Sequence, residues 1–315
     1  MSLKSRQKYF GNKTMFASIF ILSVIAISAA HAGVCDVVKD GLVACYPFNG
    51  NANDESGNGN NGTINGATPL ADKSGNADSA YSFNGTTDYI YIGKPVQSSV
   101  AATDAITLAA WIKPSAYPIS NTDPKTYVGL IIGCQCDACG STGYAIHLDG
   151  RNWHGGIRGG IHFQIGLENI GYTDTDINEG ATNAAVPLNQ WSHIVATWKS
   201  GDTKKVYING QLVTNWTTIW TGNIKYNSNT ELSIGRQPDL GRYFNGSVDD
   251  VRIYNRAISE AEIRQLYDSG SCAYTQAQLD QAVKTEQLKW DADGDGRIGL
   301  EDIIRMLQVL AGLRP

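Results

Sequence analysis

From residue 42 to residue 254 the chain alternates short apolar runs with clusters of Gly, Asn, Asp and Ser. The pattern predicts strands over 80–83, 88–92, 106–112, 127–132, 143–148, 160–165, 190–198, 205–208, 211–219, 232–234 and 246–254. An opening run, Leu42-Val-Ala-Cys-Tyr-Pro-Phe48, precedes a tract from Asn49 to Gly62 so rich in Gly and Asn that it predicts a loop. Asn209-Gly210, lying between two runs, is a strong hairpin signal. Many short strands with no helix between them predict two packed antiparallel sheets. The period changes at 258–267, where Ile258, Ile263, Leu266 and Tyr267 fall near one helical face and Gly270 offers a stop. A short helix capping the β domain is expected there.

The first 32 residues stand apart. Lys4, Arg6, Lys8 and Lys13 lead into an uncharged, mostly apolar stretch from Met15 to Ala30, and Ala30-His31-Ala32 is a small-x-small site. This order predicts a secretory signal peptide cleaved after Ala32. The apolar stretch is shorter than the ~20 residues a spanning helix needs. Removing the four basic residues takes the formal charge from −5 to −9. An acidic exported protein argues against nucleic acid and anionic membranes as partners.

Export also frames the cysteines. Cys35, Cys45, Cys134, Cys136, Cys139 and Cys272 all follow the cleavage site, and an even number in an oxidising compartment suggests disulfides. One of Cys35 and Cys45 bonded to Cys272 would staple the ends of the β domain. Cys134-Gln-Cys136-Asp-Ala-Cys139 reads as a disulfide-pinned loop, with a metal knuckle as the alternative where thiols stay reduced. Spacing alone does not settle the connectivity.

Several segments resemble laminin-G-like, concanavalin A-like domains. They are Leu42–Phe48 with Asn53-Asp-Glu-Ser-Gly-Asn-Gly-Asn-Asn-Gly-Thr63, Phe83-Asn-Gly-Thr-Thr-Asp-Tyr-Ile90, Thr107-Leu-Ala-Ala-Trp-Ile-Lys113, Trp191-Ser-His-Ile-Val-Ala-Thr-Trp198, Val206-Tyr-Ile-Asn-Gly-Gln211 and the close from Phe244 to Ile263. The resemblance covers about 41–270 in the right order and is weaker over 114–189. It implies an all-β jelly-roll sandwich of two antiparallel sheets. It also implies a calcium ion joining the first long loop, through Asp54, to the final strand, through Asp249 or Asp250. Adjacent strand residues point to opposite faces, so only one of that pair is expected to turn inward, with Asp249 preferred. The alternative is that Asp54 only braces an Asx-type turn.

Catalysis finds little support. Glycosidases on related jelly rolls use paired carboxylates. The β domain offers Glu55, Glu168, Glu179 and Glu231 singly, and neither Glu-x-Asp-x-Glu nor Gly-x-Ser-x-Gly occurs. Recognition chemistry is better represented. Trp153 sits in a Gly-rich loop, and Trp216 and Trp220, four apart, share a face if one strand carries them. These rings could stack on sugars, or cover a sheet. Trp111, Trp191 and Trp198 read as core. His147 and His162 fall opposite the apolar face in their strands, so they are expected on an open sheet face. There they are either solvated or line a groove that could take a ligand or a transition metal.

Asp291-Ala-Asp-Gly-Asp-Gly-Arg-Ile-Gly-Leu-Glu-Asp302 fits a twelve-residue calcium loop. Asp291, Asp293, Asp295 and Asp302 supply carboxylates, Arg297 supplies its carbonyl, and Gly296 allows the sharp turn. Asp at the last position, with Leu310-Ala-Gly312 beyond, resembles a dockerin half-repeat, although dockerins usually carry two such loops. The resemblance implies an EF-hand-like, helix–loop–helix appendage and a cohesin-like partner. Its exit helix (Leu300, Ile303, Ile304, Leu307, Leu310) is more apolar than one short helix can cover, so the tail is expected either to pack on the β domain or to dock another protein. The expected organisation is a signal peptide (1–32), a jelly roll (33–271) and a Ca2+-binding tail (272–315). The expected role is non-catalytic recognition, of an extracellular glycan or surface protein, or scaffolding.

Overall fold

The computed structural model describes residues 34–95, 98–118, 128–134, 142–150, 157–169, 182 and 184–271. The chain divides into two compact units between Gly270 and Ser271, and the described strands all belong to the first. Among the described residues no helix is long and apolar enough to cross a membrane.

Among the described residues sixteen strands run in chain order. They are β1 (Leu42–Tyr46), β2 (Thr63–Asn65), β3 (Thr68–Leu70), β4 (Ala80–Asn84), β5 (Tyr89–Gly93), β6 (Ala105–Pro114), β7 (Val128–Gly133) and β8 (Tyr144–Asp149). Then follow β9 (Ile161–Ile165), β10 (Ser192–Lys199), β11 (Lys205–Ile208), β12 (Gln211–Leu212), β13 (Leu232–Ile234), β14 (Arg236–Gln237), β15 (Arg242–Tyr243) and β16 (Asn245–Tyr254). One helix, α1 (Glu260–Ser271), closes the described chain.

The strands form two antiparallel sheets. The larger has the order β12-β11-β10-β6-β16-β4-β3, with β1 also paired to β16; the smaller has the order β2-β5-β13-β7-β8-β9. A separate two-stranded ribbon joins β14 to β15. Asn209 and Gly210, both at positive φ (51° and 72°), make the tight β11–β12 turn that their sequence predicts.

Alternation decides what each sheet face meets. Leu108, Ala110 and Ile112 on β6, Ile194, Ala196 and Trp198 on β10, and Val248 and Ile253 on β16 face the smaller sheet. There they pack with Ile90, Ile132, Tyr144, Ile146, Leu148, Phe163 and Ile234. The intervening residues Ala109, Val195 and Tyr254 face the other way and form a second core with Ile258, Ile263 and Leu266 under α1. This explains why polar and apolar positions interleave only partly in β10: both of its faces are covered.

The helix begins with a capping box. Ser259 Oγ accepts from the Glu262 amide at 3.3 Å, and the Glu262 carboxylate accepts from the Ser259 amide at 2.7 Å. Glu262 also receives both terminal nitrogens of Arg256, at 3.1 and 2.6 Å. Gly270, expected to end the helix, lies within it.

Cys35 bonds to Cys45, which overrules a Cys272 staple for either residue. Cys134 is a buried free thiol rather than part of a disulfide-pinned loop, and burial pushes its pKa up to about 12. Cys136, Cys139 and Cys272 lie outside the described residues.

Candidate functional site on the outer face of the smaller sheet

Strand β5 reads Tyr-Ile-Tyr-Ile. Ile90 is fully buried in the core, so Tyr89 and Tyr91 must project from the opposite, outer face, where both are half-buried. In register, Tyr91 lies between Thr63 on β2 and Ser233 on β13, and Tyr89 lies opposite Asn65. The Arg236 guanidinium covers the Tyr89 ring at 3.7 Å, which leaves Tyr91 as the less encumbered ring.

Arg236 opens the β14–β15 ribbon, and its neighbour Gln237 reaches the other side of the face. Gln237 Oε1 accepts from Arg242 Nη1 at 3.0 Å and lies 3.0 Å from His147 Nε2. Arg242 has only donors, so the atom it meets is the amide oxygen, and His147 must donate to it through a protonated Nε2. Gln237 Nε2 in turn donates to Asp239 at 3.0 Å. His147 stands directly across from His162 in the β8–β9 register, with ring centroids 6.2 Å apart. The face therefore carries a half-buried aromatic strip at one end and a buried polar array at the other, bridged by one ribbon.

A second polar cluster lies on the larger sheet. Asp249 and Asp250 are both almost fully buried, and both meet Lys73 Nζ, at 3.2 and 2.6 Å. The β16–β6 register slips between Asp249 and Arg252, and Asp250 takes φ 49°. This bulge brings two adjacent side chains to one cation, where a regular strand would send them apart. Burial, then the neighbouring Asp250 charge, pushes the Asp249 pKa up against the opposing Lys73. Burial pulls Lys73 down, but the two carboxylates outweigh it and hold the ammonium above its ordinary value. A cavity of about 440 Å³ borders the cluster, lined also by Asn49, Asp72, Asn76 and Asp78.

Residues 84–264 match Laminin_G_3, the concanavalin A-like lectin/glucanases superfamily. The chain belongs to that superfamily. It is 28% identical over 145 residues to human adhesion G-protein coupled receptor D1, an alignment that covers 46% of this chain and 14% of that receptor. The fold is also similar to the binding domain of Paraclostridial Mosquitocidal Protein 1 (TM-score 0.51, 18% identity, 73% of this chain and 52% of that one). Trypanosoma rangeli sialidase in complex with the inhibitor DANA is similar to the same degree (TM-score 0.51, 17% identity, 73% of this chain and 33% of that one). The two structural likenesses are likenesses of fold.

Within this concanavalin A-like sandwich the expected site residues separate. His147 and His162 come together on the outer face, as alternation implies, but they are buried (0% and 2% exposed) rather than solvated. The ribbon supplied by 236–243, far along the chain, reaches His147 through Gln237. No single strand carries Trp216 and Trp220. The strand expected over 211–219 ends at Leu212, and both rings are partly buried against the main core. Lys204 Nζ lies 5.3 Å from the Trp216 ring, and Trp220 bridges to Asp202. Trp153 and the loop residues Asp291, Asp293, Asp295, Arg297 and Asp302 lie outside the described residues. Tyr89, Tyr91, Arg236 and Gln237 escaped the sequence reading, although the Tyr-Ile-Tyr-Ile alternation was signal enough for the tyrosines.

Asp54 and Asp249, expected to share a calcium ion, serve different partners. Asp54 Oδ1 accepts from the amides of Cys45 and Ser56, both at 2.9 Å. Its Oδ2 accepts from the Asn60 amide at 2.9 Å and from Asn60 Nδ2 at 3.2 Å. These four donors occupy the carboxylate's lone pairs, so Asp54 braces its loop. The jelly-roll residues do not fit a shared ion.

Proposed function

We propose that this protein is an exported, non-catalytic recognition protein whose jelly roll binds extracellular glycan on the outer face of the smaller sheet. The observation that carries the reading is the pair of half-buried rings, Tyr89 and Tyr91, standing on one face beside the accessible polar side chains of Thr63 and Asn65. A sugar ring needs a flat apolar surface for its C–H face and fixed donors and acceptors for its hydroxyls. Tyr91 supplies the first, and Thr63 opposite it, with Asn65 and Arg236 at the neighbouring Tyr89, supply the second. Membership of the concanavalin A-like lectin/glucanases superfamily supports a carbohydrate ligand. A non-catalytic role is supported by how the carboxylates are used: the adjacent pair Asp249–Asp250 is held on Lys73, and Glu231 lies 4.0 Å from Arg236. Residues 272–315 act in this proposal as a Ca2+-dependent structural or docking element, with Asp291, Asp293, Asp295, Arg297 and Asp302 as ligands and a cohesin-like protein as the docked partner.

The test is a glycan array followed by calorimetry on the hits. Tyr91→Ala is expected to weaken binding about tenfold or more, in line with the loss of one aromatic contact, while leaving the unfolding midpoint nearly unchanged. Absence of any hit, or full affinity in the variant, sinks the assignment of this face.

A second reading, an adhesive scaffold component that attaches other proteins, draws on the similarity to an adhesion receptor. The glycan array separates the two, because only the first reading requires the jelly roll to bind a glycan, whereas chelator-sensitive capture of a protein through the tail fits both.

A further inference from the structure

We propose that the Lys73 ammonium is a tethered counter-ion that takes the place of a calcium ion in this jelly roll, so that the β domain is held together without metal. The fold resemblance implies calcium between the first loop and the last strand, and these residues do not fit it. Asp54 is saturated by N–H donors, and a cation cannot approach oxygens already covered by hydrogens.

The requirement for a cation nevertheless persists. Asp249 and Asp250 are 1% and 2% exposed, and two adjacent carboxylates in such a place are strongly unfavourable unless a positive charge accompanies them. The bulge that brings them together is itself a strained arrangement, with a non-glycine residue at φ 49°. Lys73 answers both carboxylates at once, and its Nζ lies 5.3 Å from the Trp111 ring.

The delivery is pre-organised. Lys73 sits in the turn between β3 and β4, and Asp72 fixes that turn by accepting from the amides of Ser74 (2.8 Å) and Asn76 (2.9 Å) and from Asn76 Nδ2 (2.8 Å). The ammonium therefore arrives on a rigid loop rather than on a free surface side chain. Asn49, Asp78 and Ser79 line the cavity beside it. Truncating the lysine leaves two buried carboxylates facing a space walled by further oxygens, which is the environment a hard divalent cation prefers.

The experiment compares the full chain with Lys73→Ala by calcium calorimetry and by thermal unfolding in calcium and in chelator. Lys73→Ala is expected to melt about 10 °C below wild type in chelator, to regain much of that loss in calcium, and to bind one calcium more per chain. Lys73→Ala/Asp249→Ala is expected to lose the added site. Equal calcium stoichiometry and equal chelator response in wild type and Lys73→Ala overturn the proposal. Should Lys73→Ala fail to fold in every condition, Asp249→Ala in the otherwise wild-type chain decides. An unchanged calcium stoichiometry supports the tethered lysine, and loss of one calcium overturns it. Any calcium bound by residues 272–315 is common to all these proteins and cancels in the comparison.

Discussion

Acidification should weaken the jelly roll through His193, and the size of the effect follows from its surroundings. The imidazole is fully buried on the outer face of the larger sheet, 5.2 Å from the Trp111 ring and 6.2 Å from Tyr267 of α1. Among the described residues neither ring nitrogen has a hydrogen-bond partner. Burial first, and the charges of Arg252 and Lys73 second, push its pKa down to about 3. In the unfolded chain the same group titrates near 6.5. The unfolded state therefore takes up the proton first. Stability from a neutral His193 is complete above about pH 6.5 and is lost progressively as pH falls toward the folded value. At about pH 5 the loss amounts to about 2 kcal/mol. Urea unfolding of wild type and His193→Phe at about pH 7.5 and about pH 5 measures it, because phenylalanine keeps an apolar ring between Trp111 and Tyr267 but cannot titrate. Asp249 acts in the opposite sense. Its pKa is raised in the folded state, so acidification favours folding there. The quantity to read is thus the difference between the two proteins, with wild type losing about 2 kcal/mol more than the variant over that interval. Parallel pH dependences would refute the reasoning.

Other consequences are as direct. Ser259→Ala removes the cap of α1 and is expected to cost about 1 kcal/mol in urea unfolding, with the loss of protection in hydrogen exchange concentrated in residues 260–266. Gly143→Ala should impair folding outright, because φ is +80° there and an added Cβ would stand 2.2 Å from the Cys134 carbonyl oxygen; expression of soluble protein with a wild-type melting curve would contradict this. Phe163→Ala empties a fully buried site between the sheets and is expected to cost about 3–5 kcal/mol by the same urea assay.

The sandwich was legible because its signals are local. Ile194 and Ala196 against Val195, or Ile146 and Leu148 against His147, announce two faces by alternation alone, and those faces are the ones observed. What failed to show depends on residues distant in the chain. His147 was assigned the correct face but the wrong exposure, because Gln237, itself held by Arg242, meets it from 90 positions away. The run after Gln211 looks like a strand, yet it leaves the sheet at Leu212, and Trp216 and Trp220 turn partly inward against the main core. Asp250 breaks the rule that neighbouring strand residues oppose each other, since the bulge there is a property of pairing with β6 and not of the Asp-Asp dipeptide. Asp54 carried its own alternative in the sequence, and its four donors decide for the loop brace.

The Cys35–Cys45 bond has a mechanical meaning. Strand β1 lies antiparallel to β16, with Leu42 beside Tyr254, so tension applied from the N-terminal side of Cys35 and from the far end of α1 would peel β1 away one residue pair at a time. The covalent bridge reroutes that tension. Load entering at Cys35 passes across the sulfur–sulfur link to Cys45, opposite Arg252 in the interior of the pairing, and residues 36–44 carry none of it. The weakest starting point for peeling is thereby bypassed, and a molecule pulled between two anchored surfaces would first have to break the sheet from within.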